Sequence, residues 1–524
     1  MADQNQDPFE LPAGLRKRFY EPLVLLYSLS KLLVRSQNST RPPDLESADD
    51  KSPVKRFECF VNKLGQVCDS QRGGDTVTAF AILQTGSVEY RFASNNRDQQ
   101  RLNETAVYVR GLLHILGEAS REGALQAKEN QDSELFSNLM RRIIEFNQPR
   151  ISFYIRNQLL DHLDFCFAVC NELGQEDDLA MGADLEVLKH LAELAGEDGL
   201  SLTDFAIRTR ELLRAISERY RQDRFRDYMS ERTREDREVS IRTPWTELYH
   251  GVGRLESYSV AVKVFLRARN RWPQLFEDFQ VAFIPSSGAG DTPSIRRSSK
   301  GIITRLTADR SLLEAFLAAP GHQDLIRELD GEIFARVKPR KFQPIVHAEV
   351  NLARDIIRDE RHPQGGQSDR VRFFNEALFG RYIGCSKPTC QLCALYFQAP
   401  GGPDMRVRSG HENLYYNWRT PDIEPQDGAG AAAARNRVLE WMVSSIKERA
   451  VQTIRRMFTT TNLHDSNTTP SNPPTTDYQS AVNGHGGGGG GGAPLQVGAW
   501  DSLSAAMGQM SLGTIAGSQS GGSG

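Results

Sequence analysis

The distribution of apolar and polar positions divides the chain into a short α/β beginning, a long helical middle, a second α/β stretch and a polar tail. Apolar residues at helical spacing predict a short amphipathic helix over Phe19–Val34. A better one follows over Val54–Cys68, with Phe57, Phe60, Val61, Leu64 and Val67 on one face, and Gly73–Gly74 breaks it. Thr76–Leu83 and Val88–Ala93 then read as two strands around Gln84–Ser87, a hairpin signal.

From about Gln100 to Lys338 the pattern is helical throughout. Helices are predicted over Ala106–Leu116, Glu134–Phe146, Ile151–Leu173, Leu185–Ala195, Leu202–Tyr228, Val260–Phe279, Ile303–Leu317 and Gln323–Val337. Their charged polar faces and few glycines are those of a helical bundle. Val350–Ile357 returns to helical spacing beside a strand-like Arg381–Cys385, and Met405–Arg408 alternates as a strand. Ala431–Met457 is the last predicted helix. From about Thr459 the chain turns to Thr, Asn, Pro and a glycine run, too poor in apolar residues to fold.

Composition changes this picture little. The 524 residues carry a formal net charge of −3, so bulk electrostatics do not select nucleic acid as partner. Seven cysteines at irregular spacing argue against a disulfide scaffold and for a reducing compartment. With no signal segment and no apolar run of membrane length, the expectation is a soluble cytoplasmic or nuclear protein with no membrane partner.

The candidate chemistry lies between Pro344 and Phe397. Pro344-Ile-Val-His347-Ala-Glu349 is followed by Ser386-Lys-Pro-Thr-Cys390-Gln-Leu-Cys393, which makes the zinc-deaminase signature H-x-E…P-C-x-x-C. A catalytic zinc needs three N or S ligands and an open position for water, which His347, Cys390 and Cys393 can provide. Glu349, two residues past the histidine, is then the proton carrier. Two other readings remain at this level: a closed structural zinc site with Cys385 as fourth ligand, or buried cysteines with no metal. His162, Cys166 and Cys170, four apart on one helix, read instead as an apolar packing face, given Phe165, Phe167 and Val169. The Arg-rich run Arg208–Arg242 is the best nucleic-acid candidate of the helical block, though its interspersed acids are those of a solvated, ion-paired face.

These motifs, with Gly384-Cys-Ser-Lys387 and Ser409-Gly-His411-Glu-Asn-Leu-Tyr-Tyr416-Asn-Trp418, resemble the cytidine deaminase-like superfamily. The resemblance is to its fungal branch, related to bacterial toxin-type nucleic-acid deaminases. Thr389 between Pro388 and Cys390 departs from the commoner pattern, in which proline directly precedes the first cysteine. The resemblance implies a mixed sheet flanked by helices, an α/β fold interrupted by a large all-α insertion. On that reading residues 1–53 form an N-terminal helix and linker, 54–99 the first part of the deaminase-like domain, and 100–338 the insertion. Residues 339–458 carry the zinc site and 459–524 the tail.

The implied function is zinc-dependent hydrolytic deamination of a nucleobase, within a nucleic acid or as a nucleotide. Family members often hold substrate with an Asn after the second strand, which makes Asn95 and Asn96 candidates, or local turn residues. His411, Tyr415 and Trp418 are candidates for the pocket mouth and wall. The rival expectation is a scaffold that keeps the zinc fold without turnover and offers its helical insertion to a protein partner.

Overall fold

The computed structural model describes residues 10–36, 52–239, 244–306, 309–319, 322–361, 371–410 and 413–462. Six strands form one mixed sheet: β1 (Thr78–Thr85), β2 (Ser87–Ser94), β3 (Phe279–Ile284), β4 (Arg372–Phe373), β5 (Tyr382–Cys385) and β6 (Arg406–Val407). The order is β3-β2-β1-β5-β6, with β4 also pairing with β1. β1 and β2 are an antiparallel hairpin in register Thr78↔Ser94 to Thr85↔Ser87. It turns at Gly86, whose φ of +94° favours a residue without a side chain. β3 lies parallel to β2, and β5 is antiparallel to β1.

Alternation along β1 assigns its two faces. Phe80 and Ile82 face a core shared with the helix Pro53–Cys68 and the helical block. Ala79, Ala81 and Leu83 face the helix Ala348–Arg361 through Leu352, Ala353 and Ile356. Small residues on that second face let the site-bearing helix lie close to the sheet.

On the first face the close approach is made by glycines. A Cβ on Gly65 would stand 2.7 Å from the Ser386 nitrogen and 2.8 Å from the Thr78 oxygen. One on Gly384 would stand 2.7 Å from Val61 Cγ1 and 2.8 Å from the Val61 carbonyl carbon. The helix Pro53–Cys68, begun by a Ser52 cap and a proline in its first turn, therefore rests with its backbone on the end of β5 that leads to the cysteine pair.

Two expectations need correction. Residues 100–338 are not helical throughout, because Phe279–Ile284 forms the sheet's edge strand on β2. The helix predicted over Val260–Phe279 ends at Arg271, and a short turn at Pro273–Leu275 separates it from β3. The first helix runs Ala13–Ser36, longer than the expected short one, and its apolar side is deeply covered: Leu15, Phe19, Tyr20, Leu23, Val24, Leu25, Leu26, Leu29 and Leu32 are all buried. A helix apolar on most of its circumference belongs inside. This one shares a core with Gly428–Asn462, Gln323–Arg336 and the cysteine-bearing helix Gln391–Gln398. Among the described residues no helix is long and apolar enough to cross a membrane.

Candidate metal and proton-transfer site

The two halves of the motif arrive at helix starts. The His347 carbonyl accepts from Val350 N at 3.0 Å and Asn351 N at 2.9 Å, so His347 caps the helix Ala348–Arg361 and Glu349 lies in its first turn. Cys390 likewise caps Gln391–Gln398, its Sγ accepting from Cys393 N–H at 3.5 Å. A parallel bridge between Ile345 and Trp418 fixes the approach to His347. Both positive helix ends converge on one point, which favours thiolate and any anion bound there.

His347, Cys390 and Cys393 offer donor atoms within 4.8 Å of one another. His347 Nδ1 lies 3.5 Å from Cys390 Sγ and 3.3 Å from Cys393 Sγ. Zn–S and Zn–N bonds of about 2.3 and 2.0 Å at a tetrahedral angle put sulfur and nitrogen roughly 3.5 Å apart. The donor set therefore fits a zinc-sized ion. Cys385 is buried on β5, outside this group, with its N–H donating to Asn62 Oδ1 at 3.1 Å. Among the described residues the cluster thus has three protein donors, which leaves a fourth position for water or substrate.

The electrostatics suit that role. A hydrogen bond from Cys393, and then His347, hold the Cys390 thiol well below its ordinary value although it is buried. Burial, reinforced by Cys390 and Glu349, pushes Cys393 well above its own. Burial opposes the charged form of His347, yet the neighbouring Cys390 raises its ring above the usual range. Burial also raises the Glu349 carboxyl above its ordinary value, the direction that suits a group which both takes and returns a proton.

The other sequence candidates are placed differently. Asn95 is buried and both ends of its amide serve backbone groups: Oδ1 accepts from Ala348 N–H at 2.8 Å, and Nδ2 donates to the Gly74 carbonyl at 2.8 Å. It ties β2 to the start of the Glu349 helix. Asn96 is exposed and donates to Asp75 Oδ1 at 3.4 Å. Tyr415 is 46% exposed and its ring stands edge-on to His347 at 6.4 Å. Trp418 is fully buried, packed on Phe19 and Tyr396, with its indole N–H donating to Cys393 Sγ at 3.2 Å. It lies behind the cysteine. No spacing in the sequence signals that hydrogen bond. His411 lies outside the described residues. Cys166 and Cys170 are buried and the latter meets the Tyr228 hydroxyl, as expected of a packing face.

Residues 346–422 match a family model described as OTT_1508-like deaminase. The match covers both halves of the motif and Trp418. No curated protein and no solved structure matches the chain.

Proposed function

We propose that the protein is a zinc-dependent hydrolytic deaminase acting on a nucleobase within nucleic acid, related to toxin-type nucleic-acid deaminases. One observation carries this reading: three donors at tetrahedral spacing enclose a position beside a buried carboxylic acid, Glu349, that is not itself one of the donors. A closed structural site has no role for that acid. The deaminase match over the same segment supports the assignment.

His347 Nδ1 and the sulfurs of Cys390 and Cys393 would hold the ion. When bound, zinc supplies Lewis acidity that lowers the pKa of a water toward neutrality. Glu349 would accept a proton from the attacking water and return it to the departing amine, so that water and an amino base give a carbonyl base and ammonia. The burial that raises its pKa suits both directions of transfer. Tyr415, half-exposed beside His347, presents a ring on which an extruded or unpaired base can stack. Asn95 acts from behind, holding the helix start that aims Glu349.

The test is to incubate the zinc-loaded protein with single-stranded DNA, single-stranded RNA and free nucleosides, following ammonia release and base identity, with Cys390→Ser as control. Conversion by wild type and none by Cys390→Ser is expected. A stoichiometrically zinc-loaded wild type that converts none of these would favour the scaffold reading.

A further inference from the structure

Six arginines of the run that the sequence offers to nucleic acid are engaged in ion pairs. Arg208, Arg214, Arg219, Arg224, Arg226 and Arg232 reach Glu197, Asp132, Asp184, Asp184, Asp223 and Asp178 respectively. Two exposed arginines elsewhere, Arg72 and Arg254, lie over neighbouring aromatic rings of the helical block. Arg72 is exposed in the loop after the helix Pro53–Cys68, its guanidinium 4.2 Å from the centre of the Phe153 ring. Arg254 is exposed on the helix Pro244–Arg271, its guanidinium 5.6 Å from the Tyr154 ring. Arg150 meets the same Tyr154 ring at 5.7 Å.

The loop that carries Arg72 is tied down on two sides. Arg150 pairs with Asp69 at 2.5 Å and donates to its carbonyl at 2.6 Å. On the other side the Lys387 amine donates to the Gly73 carbonyl, and Lys387 stands three residues before Cys390. Three cations, Arg254, Arg72 and Lys387, thus run from the helical block to the segment that leads into Cys390. Of the loop's acids, Asp69 is 1% exposed and neutralises Arg150, and the exposed Asp75 accepts from Asn96. Among the described residues neither Arg72 nor Arg254 has a carboxylate at ion-pair distance.

We infer that Arg72, Arg254 and Lys387 form a binding surface for the phosphodiester backbone of a single-stranded nucleic acid, with Arg150 and its Asp69 partner holding the loop beneath it. The identity of the ligand rests on the deaminase reading above. The physical case is direct. Guanidiniums held over aromatic rings lose little conformational freedom on binding, and their planar donor forks match phosphate oxygens. A cationic track interleaved with aromatic rings is the general way a single strand is held without regard to sequence. Its position matters as much as its charge. A strand that lays one base into the site must lead its backbone past Lys387, and the surface continues from there onto the insertion.

The test uses the zinc-loaded full chain carrying Glu349→Gln, so that binding is read without turnover. Fluorescently labelled single-stranded DNA and RNA oligonucleotides are titrated by anisotropy over a salt series. Log affinity should fall linearly with log salt. Adding Arg72→Ala and Arg254→Ala should weaken binding whatever the sequence and flatten the slope by about 1.4, roughly 0.7 for each of two phosphate contacts. Arg72→Lys with Arg254→Lys should keep most of the slope. Zinc content and melting temperature check that the alanine variant is folded; should it fail that check, Arg254→Glu alone gives the same readout.

Equal slopes in the parent and alanine proteins would overturn the assignment. So would an absence of salt-dependent oligonucleotide binding together with binding of an acidic peptide. The two proposals fail separately. Wild type that deaminates free nucleosides yet binds no oligonucleotide removes the surface and leaves the enzyme. Salt-dependent binding with no turnover of any substrate does the reverse.

Discussion

Replacing Trp418 by phenylalanine isolates one contact of the site. The substitution keeps an aromatic ring in the packed space against Phe19 and Tyr396 but removes the N–H that donates to Cys393 Sγ at 3.2 Å. A hydrogen bond to a charged acceptor contributes about 1.5–3 kcal/mol. That corresponds to the 10- to 100-fold loss of metal affinity usual when a partner of a metal ligand is removed. Competition with a chromophoric chelator should therefore show zinc held roughly 10- to 100-fold more weakly by Trp418→Phe. The smaller ring also leaves a gap, which costs stability by itself. Phe19→Leu is the control, since it opens the same core without touching the N–H. It should lower the melting temperature and leave zinc affinity unchanged. Unaltered zinc affinity in Trp418→Phe, or an equal loss in Phe19→Leu, would refute the reasoning.

Other expectations follow from the packing and from burial. Gly384→Ala should destabilise the protein by about 1–3 kcal/mol, because its Cβ would meet the Val61 backbone rather than a flexible side-chain end; chemical denaturation measures this, and a loss under 0.5 kcal/mol would contradict the close approach. Asn95→Ala leaves the Ala348 N–H and Gly74 carbonyl without their partner, so it should cost roughly 1–3 kcal/mol with no substrate present; a residue that acts only on substrate would leave the melting temperature unmoved. Burial raises the carboxyl of Glu256, which accepts from Ser217 inside the helical block, above its ordinary 4.5. Its favourable contribution is then fully present below pH 4.5 and lost as pH rises, so Glu256→Gln should be at least as stable as wild type at pH 7, with the difference shrinking toward pH 4.5. A variant clearly weaker at pH 7 would show that Lys263 and its neighbours outweigh burial.

What could be read in the sequence was what repeats or clusters locally. The β1–β2 hairpin follows from alternation around a turn glycine, and the Pro53–Cys68 helix from five apolar residues on one face. That His347, Cys390 and Cys393 come together, with Glu349 in the first turn of its helix, was legible because helix starts impose short, recognisable spacings. What escaped depends on distant parts of the chain. β3 has six residues, and its pairing with β2, nearly two hundred residues earlier, cannot be seen in its own pattern. The opening helix reads as amphipathic, and only the fold shows that the Gly428–Asn462 helix and the cysteine helix share the core it buries. Trp418 and Asn95 looked like substrate contacts because polar and aromatic residues near a motif suggest one. Their hydrogen bonds point to a sulfur and to a helix start. The Arg-rich run reads as an ion-paired face from its own acids, and in the fold it also reaches Asp132 and Asp184 on neighbouring helices, whereas Arg72 and Arg254 are scattered in sequence and gather only in the fold.

The most direct test of the account compares wild type with Glu349→Gln, purified together and matched for zinc. Glu349 is not among the three donors, so both proteins should carry one zinc per chain. Measured on single-stranded DNA and RNA, the rate of conversion of amino bases to carbonyl bases should fall by about 100- to 10,000-fold in the variant, the range lost with a general acid–base group. Glu349→Gln that binds its zinc and deaminates as fast as wild type would contradict the account.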